Sequence, residues 1–279
     1  MTADSDKIAN SDYEKFRTFL QQTCGIVLGD NKQYLVVSRL KKIQDEIGAS
    51  SLGQLLERVQ RDAGGSLRAK VVDAMTTNET YWFRDVQPYE MLQEIIAPEL
   101  LKTKRKKLRI WSAACSSGQE PYSISMTLIE YFSVRGRTPV DIEIVATDVS
   151  PTMLKIATAG AYDELSLSRG LSDERRKRFF TQDGKLWRVK PEVRLPIKFQ
   201  ELNLMNGFSM LGKFDAIFCR NVLIYFNSDL KRDILGRMAA QLSPGGYLFL
   251  GGSESMASYS AAFETVRYKS GLAFRLKSL

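Results

Sequence analysis

The stretch LRIWSAACSSGQEPYS, residues 108–123, predicts a strand, a turn of small residues and the start of a helix. The strand covers residues 108–112, and Pro121 suits the first turn of the helix that follows. Because the intervening residues are small, a ligand could approach the backbone beyond the carboxyl end of the strand. The single glycine matches the G-x-G-x-x-G pattern poorly, so a purely structural turn is equally compatible with this spacing.

Strands and helices alternate through the rest of this region, which predicts an α/β fold with a mostly parallel sheet covered on both faces. Further helices begin near Pro151 and Ser228, and residues 243–246 are predicted as a turn. The other predicted strands are residues 142–147, 197–201, 214–219 and 247–251.

Two hairpins are predicted outside this alternation. Residues 262–276 form one that bends at residues 269–271. Asp183-Gly184 is the turn of the other, which belongs to a small antiparallel β insertion at about residues 178–200.

Residues 11–75 differ, because four successive segments carry apolar residues at helical spacing. The first helix is predicted to be capped at Ser11-Asp12 and the third at Ser51, while the second ends at Gly48. We therefore expect a helical domain at residues 1–75, a linker at 76–90 that forms part of the active site, and a catalytic domain at 91–279.

The composition restricts the chemistry, since the 279 residues include no histidine and only three cysteines. The absence of histidine excludes Ser-His-Asp and Cys-His nucleophiles and histidine-ligated zinc. Cys24, Cys115 and Cys219 are odd in number and far apart, so we expect reduced thiols and no metal. Neither an apolar run of about 20 residues nor a secretory signal is present, which predicts a cytoplasmic protein without membrane insertion.

The formal net charge of +8 suits an acidic partner, whether nucleic acid, an anionic membrane or a glutamate-rich protein. The basic run KTKRKKLR, residues 102–109, is a nucleic-acid candidate, but such runs are more often solvated surface. No nucleic-acid partner is therefore predicted.

Polar side chains cluster near three predicted strand ends or junctions. Asp148 follows the second strand, where it can accept hydrogen bonds from ribose hydroxyls or cap the helix at Pro151. The segment TTNETYWFRD, residues 76–85, suits either a pocket wall or a capped helix with an aromatic core face.

In FDAIFCRNVLIYF, residues 214–226, the polar side chains would meet the ligand crevice and the apolar ones the core. The polar ones are Arg220, Asn221 and Tyr225, and the apolar ones Val222, Leu223, Ile224 and Phe226.

With these clusters in order, the sequence closely resembles the CheR family of chemotaxis receptor methyltransferases over nearly its whole length. The family motifs correspond to residues 76–84, 113–123, 146–150 and 214–226. The resemblance implies a Rossmann-like S-adenosylmethionine-dependent methyltransferase fold with a small all-helical N-terminal domain and a small antiparallel β insertion. It also implies methyl transfer from S-adenosyl-L-methionine to glutamate side chains of chemoreceptors, which gives the glutamate methyl ester and S-adenosyl-L-homocysteine.

The resemblance further implies roles for individual residues. Arg84 and Tyr225 would face the methyl acceptor as catalytic residues. The S-adenosylmethionine pocket would be lined by Asn78, Thr80, Arg84, Glu120, Asp148, Asn203, Leu204, Asn221 and Val222. Basic residues of the helical domain would contact the acidic methylation helices of the receptor, with Arg39, Lys42, Arg58 and Arg61 as candidates.

This chemistry agrees with the missing histidine. A glutamate carboxylate, with a reference pKa of about 4.3, is ionised at neutral pH and needs no general base. An RNA methyltransferase and a non-catalytic S-adenosylmethionine sensor are the alternatives. The N-P-P-Y motif of many base-amine methyltransferases is replaced here by CRNVLIYF.

Some family members dock a receptor tail peptide on the β insertion, using a longer loop than the tight bend at residues 182–185. We therefore expect no docking of a tail peptide. A monomer that finds its acceptor through the cytoplasmic methylation helices is predicted instead.

Overall fold

The structure is a computed structural model that describes residues 8–102, 107–134, 141–256 and 261–277. Residues 103–106 of the basic run at residues 102–109 lie outside these described residues. Within them, no helix is long and apolar enough to cross a membrane.

Four helices form the N-terminal part of the chain, as predicted, and their apolar faces pack into one cluster. Gly48 ends the second helix in the left-handed region with φ 64°. The Ser51 hydroxyl caps the third helix by accepting a hydrogen bond from the Gln54 N–H. The helices are α1 (Asn10–Cys24), α2 (Gln33–Ile47), α3 (Leu52–Arg61) and α4 (Ser66–Met75).

The cap predicted at Ser11-Asp12 is wrong, because α1 begins at Asn10 with Ala9 as its N-cap. Among the residues described from position 8 onwards, no side chain caps this end of the helix. Asp12 lies inside the first turn, where a negative charge is favourable beside the helix N-terminus.

In the described part of the chain, the large sheet contains seven strands in the order β6-β2-β1-β7-β8-β10-β9. All neighbouring strands are parallel except for β10, which runs antiparallel to β8 and β9. The chain order reverses between β1 and β7, which is the usual ligand position in such sheets. The strands are β1 (Lys107–Ala113), β2 (Asp141–Asp148), β6 (Ile197–Glu201), β7 (Phe214–Cys219), β8 (Leu242–Phe249), β9 (Phe263–Tyr268) and β10 (Gly271–Leu276).

Helices cover both faces of this sheet, so the predicted α/β fold is confirmed. Ile110 of β1 packs in a cluster with α7 side chains, and the next residue, Trp111, packs with α12 side chains. A π-helical segment, Leu92–Ile96, joins α5 to α6. The helices are α5 (Gln87–Met91), α6 (Ala97–Lys102), α7 (Gln119–Val134), α8 (Pro151–Ala159), α9 (Glu164–Ser168), α10 (Asp173–Phe179), α11 (Pro191–Arg194) and α12 (Ser228–Gln241).

Residues 243–246 form an irregular part of β8 and not the predicted turn. Phe214 of β7 pairs with Leu242, and Ala216 pairs with Tyr247, so residues 243–246 lie opposite Asp215 alone. The segment contains a proline, which has no N–H for pairing, and Gly245 at φ 72°. The turn residues therefore produce a bulge inside the strand.

The β insertion is a separate antiparallel sheet in the order β3-β5-β4. It begins before the predicted residue 178, because β3 (Ala161–Asp163) pairs with β5 (Leu186–Val189). It also ends earlier, since β6 belongs to the large sheet. The bend between β4 (Phe180–Asp183) and β5 is tight, as predicted, with Gly184 at φ 61°.

Candidate active site

A cavity of about 810 Å³, its open mouth included, lies where β1, β2 and β7 end. Its wall combines the end of the helical domain, the linker at residues 76–84, and the turns that follow these three strands. The lining residues are Cys24, Ile26, Thr76, Thr77, Asn78, Glu79, Thr80, Tyr81, Arg84, Ala114, Cys115, Ser116, Glu120, Asp148, Val149, Arg220, Asn221, Val222, Tyr225 and Phe226. The structure thus brings together the predicted residues Asn78, Thr80, Arg84, Glu120, Asp148, Asn221, Val222 and Tyr225.

The turn after β1 has one half that faces the cavity and one half that packs internally. Ala114 and Ser116 line the cavity, and both have positive φ, at 59° and 49°. Gly118 does not line it: a Cβ on this residue would lie 2.9 Å from the Ala157 Cβ. The sequence left open whether this loop lets a ligand approach the backbone or is a purely structural turn. Ala114 and Ser116 agree with the first role and Gly118 with the second, so one loop combines both.

The Asp148 carboxylate is buried beside this turn. Its Oδ2 accepts a hydrogen bond from the Ser116 N–H at 2.7 Å, and its Oδ1 accepts one from the Ser150 N–H at 2.9 Å. Burial raises the pKa of Asp148, although these hydrogen bonds oppose the shift. A carboxylate has about four acceptor sites, so Asp148 can still accept hydrogen bonds from two ligand hydroxyls.

Asp148 is not the cap of the following helix. The N-cap of α8 is Ser150, whose Oγ accepts a hydrogen bond from the Met153 N–H at 3.0 Å. The capping role considered for Asp148 is therefore wrong, and its role as a ligand acceptor stays a prediction.

Arg220 is buried and links three parts of the site. Its Nη1 donates to Glu120 Oε2 at 3.1 Å, and its Nη2 donates to Asp85 Oδ2 at 2.6 Å and to the Arg84 carbonyl at 2.8 Å. Burial raises the pKa of Glu120, while the charge of Arg220 and a hydrogen bond from Ser112 oppose the shift. The network fixes the backbone that carries Arg84.

The linker forms a pocket wall with its polar residues and a core face with its aromatic ones. Trp82 and Phe83 are buried, and no helix begins between residues 76 and 86, so the capped helix considered for this segment is wrong. The Arg84 Nη1 donates to the Glu79 carbonyl at 3.0 Å, and its guanidinium lies 5.4 Å from the Tyr81 ring centroid. The guanidinium therefore keeps further N–H groups for a ligand.

The turn after β7 is held by Glu254. Asn221 has φ 59°, and its N–H donates to Glu254 Oε2 at 2.8 Å. The same carboxylate accepts hydrogen bonds from the Gly251 N–H at 2.7 Å and the Ile224 N–H at 3.2 Å. Glu254 thereby positions the segment that carries Asn221 and Tyr225.

We expect Glu254→Ala to raise the Kd for S-adenosylmethionine at least tenfold and to lower the melting temperature. The part-buried Asn221 and Gly251 N–H groups lose their acceptor, which costs about 1–3 kcal/mol for each donor that stays out of water, and the left-handed turn at Asn221 loses its support. Titration calorimetry and thermal unfolding measure both effects. Glu57→Ala, on an exposed face of α3, is the control. An unchanged Kd in Glu254→Ala would contradict the positioning role.

The apolar residues of this turn do not all lie in the core. Leu223 and Phe226 are buried in one core cluster as predicted, and Phe226 also lines the cavity, whereas Val222 is only partly buried and Ile224 is 47% exposed. The prediction for Ile224 is wrong because Leu223–Tyr225 forms a 3-10 turn, in which successive side chains point in different directions.

The helical domain contributes Cys24 and Ile26 to the wall, and backbone contacts hold it there. The Val27 N–H donates to the Tyr225 carbonyl at 2.9 Å. Sequence patterns did not indicate Cys24, Ile26 or Glu254 as site residues. For Glu254, the signal available in the sequence was an acidic residue shortly after the Gly251-Gly252 pair that follows β8.

Asn203 and Leu204 do not lie in the cavity wall. The Asn203 Nδ2 donates to the Thr23 carbonyl at 2.7 Å, and its Oδ1 accepts from the Met205 N–H at 3.0 Å. Leu204 packs in the apolar cluster that contains α12 side chains. Their predicted contact with a cofactor has no support from this geometry.

The four basic residues predicted to contact the acceptor fall into two pairs. Arg39 donates to the Met75 and Thr76 carbonyls at 2.8 and 2.9 Å, and Arg58 donates to the carbonyls of Ile47 and Gly48 at the end of α2. Lys42 and Arg61 are exposed and have no side-chain partner in the described ranges. Only the second pair is fully available to a partner.

Two family models match the chain. The all-alpha domain of CheR methyltransferases matches residues 11–76, and their S-adenosylmethionine-binding domain matches residues 78–272.

Curated relatives are similar over nearly the full length. Chemotaxis protein methyltransferase 1 of Pseudomonas aeruginosa is 53% identical, covering 96% of this chain and 99% of the relative. Chemotaxis protein methyltransferase 1 of Vibrio cholerae is 50% identical, covering 97% and 98%. Among solved structures, the N-methyltransferase NodS of Bradyrhizobium japonicum is 14% identical with a TM-score of 0.43, covering 80% of this chain and 99% of that chain. The family models and the two relatives place this chain in the CheR methyltransferase family, with an S-adenosylmethionine-binding domain behind an all-alpha one.

Proposed function

We propose that this protein transfers the methyl group of S-adenosyl-L-methionine to glutamate side chains on the cytoplasmic methylation helices of chemoreceptors. The products are the glutamate 5-methyl ester and S-adenosyl-L-homocysteine, and the reaction takes place in the cytoplasm. The observation that carries the proposal is that Arg84 and Tyr225 line the same cavity as two carboxylates, that of buried Asp148 and that of Glu120, whose side chain is 12% exposed. The names of the curated relatives support the link to chemotaxis.

The cavity residues fit S-adenosylmethionine. Asp148 has acceptor sites left for the two ribose hydroxyls. Val222 and Phe226 offer apolar surface to the adenine, while Asn78 and Thr80 supply polar groups for the amino-acid end. Once bound, the cofactor supplies a methyl group activated by positively charged sulfur.

A glutamate acceptor needs orientation more than proton transfer, because its carboxylate is already ionised at neutral pH. Arg84 would donate to one carboxylate oxygen and leave the other free to attack, since a fully paired carboxylate is a weaker nucleophile. The Tyr225 hydroxyl makes no hydrogen bond within the part of the chain that the structure describes, so it can donate near the reacting oxygen.

The helical domain would present Lys42 and Arg61 to the acidic methylation helices. Arg39 and Arg58 would act mainly by stabilising this domain, because their guanidinium groups already hold backbone carbonyls. The protein would act as a monomer, without docking a tail peptide at the bend near Gly184.

The proposal is tested by incubating the purified protein with methyl-labelled S-adenosylmethionine and either chemoreceptor-bearing membranes or total RNA. We expect label in the receptor polypeptide, and none in membranes from a strain without chemoreceptors. Label in RNA would support the RNA methyltransferase alternative. Cofactor binding without transfer to the receptor would instead indicate a non-catalytic sensor.

A further inference from the structure

The backbone of the linker is strained around Arg84. Phe83, Asp85 and Val86 have positive φ, at 50°, 63° and 35°. Residues other than glycine rarely adopt this left-handed conformation, and they keep it only where the surrounding structure holds them. The backbone that carries the Arg84 side chain is therefore bent into a conformation that other parts of the molecule must maintain.

Residues 166–170 hold the linker just before this bend. The Trp82 Nε1 donates to the Ser166 carbonyl at 3.0 Å, and the Trp82 N–H donates to the Arg169 carbonyl at 3.3 Å. A Cβ on Gly170 would lie 1.9 Å from the Trp82 carbonyl oxygen, so the two segments are in direct backbone contact. Trp82 is also fully buried, and close packing around its side chain restricts its movement.

Ser123 of α7 holds the next residue from inside the protein. Its buried Oγ accepts a hydrogen bond from the Phe83 N–H at 3.0 Å and donates one to the Gln119 carbonyl at 2.7 Å. The bond to Gln119 orients the hydroxyl, which leaves a lone pair for the Phe83 N–H. Because Phe83 is only 3% exposed, solvent has little access to replace this acceptor. Ser123 therefore fixes the residue directly before Arg84.

Other hydroxyl groups of α7 make similar bonds elsewhere. Buried Ser125 donates to the Val193 carbonyl at 2.8 Å, and buried Thr127 donates to the Ser123 carbonyl at 2.8 Å. Neither of these bonds reaches the linker. Ser125 thus matches Ser123 in its helix, its burial and its bond to a backbone group, but it holds a segment that does not carry Arg84.

We propose that Ser123 is a positioning residue for methyl transfer, which sets the direction of the Arg84 side chain towards the acceptor carboxylate by holding the Phe83 N–H. This inference rests on the proposed function, in which Arg84 orients the acceptor. Arg220 holds the Arg84 carbonyl, so Ser123 and Arg220 fix the backbone on both sides of the Arg84 Cα. A displacement of about 1 Å at a reacting centre can lower the rate by as much as 10²-fold.

The test compares Ser123→Ala with Ser125→Ala, using methyl-labelled S-adenosylmethionine and chemoreceptor-bearing membranes. Both variants should keep α7, because alanine is the best helix former, and thermal unfolding checks that they are folded. We expect Ser123→Ala to lower kcat by about 10–100-fold and to leave the Kd for S-adenosylmethionine within a small factor of wild type. Ser125→Ala loses a comparable amount of thermal stability but keeps nearly wild-type kcat. Ser123→Cys is intermediate, because sulfur is a weak acceptor.

A double-mutant cycle with Arg84→Ala shows whether the effect passes through the guanidinium. Once that group is removed, Ser123→Ala should change kcat by less than about twofold, because residues that act as a unit are not additive. Equal losses of kcat in Ser123→Ala and Ser125→Ala, or fully multiplicative losses in the double variant, would overturn the inference and leave the proposed function intact. A wild-type enzyme that transfers no label to the receptor would remove the proposed function and the inference with it.

Discussion

Arg84→Ala should lower kcat for receptor methylation by about 10²–10³-fold, the usual effect of removing one preorganised donor from a reacting centre. The Kd for S-adenosylmethionine should stay within a small factor of wild type, because Asp148 and the turn after β1 remain in place. The Arg84 backbone is fixed independently by Arg220, so the substitution removes the guanidinium without releasing the linker. Single-turnover methylation and titration calorimetry measure the two quantities.

A matched control exists for this variant. Arg169 lies 4.0 Å from the Tyr81 ring centroid and pairs with Glu79, yet it does not line the cavity. We expect Arg169→Ala to keep nearly wild-type turnover, and Arg84→Lys to be intermediate because lysine keeps the charge but not the planar fork. Equal losses of cofactor affinity and turnover in Arg84→Ala would remove its role towards the acceptor.

Asp148→Ala should raise the Kd for S-adenosylmethionine by about 10²–10⁴-fold. Two hydrogen bonds to a charged group contribute about 1.5–3 kcal/mol each, and every 1.4 kcal/mol is a factor of about ten. Ser150→Ala is the control, because it removes the cap of α8 and not the ligand acceptor. It should lower stability by about 1 kcal/mol and leave the Kd nearly unchanged. A similar rise in Kd for both variants would mean that Asp148 acts only by supporting the loop.

The same carboxylate should make cofactor binding sensitive to pH. Because burial raises the pKa of Asp148, protonation begins at a higher pH than for an ordinary aspartate. A protonated carboxyl accepts hydrogen bonds less well, so the wild-type affinity should fall as the pH is lowered. Asp148→Ala should show a shallower dependence.

The sequence allowed the sheet and most of the cavity to be predicted for one physical reason. Apolar runs at strand spacing alternated with helical segments, and parallel strands place their carboxyl ends at one edge. The residues that follow β1, β2 and β7 therefore had to converge, and Asp148, Asn221 and Tyr225 do line one cavity. The linker residues Asn78 and Arg84 were located through the family motif, because nothing in their local pattern fixes where a linker lies.

The features that were missed depend on contacts between distant segments. Glu254 acts on backbone N–H groups about 30 residues earlier, which no local pattern encodes. Cys24 and Ile26 reach the cavity because contacts such as those to Tyr225 and Asn203 hold the helical domain there. The bulge in β8 resembles a turn in sequence, because proline and glycine have the same backbone preferences in both settings.

The most direct measurement of the central claim is the chemical stability of the transferred methyl group. The receptor is labelled by the enzyme, freed of cofactor and treated with mild alkali, and the volatile label is collected. A glutamate 5-methyl ester is hydrolysed under these conditions, so we expect release of the label as methanol. Label that stays on the receptor after alkali would contradict methyl transfer to a carboxylate.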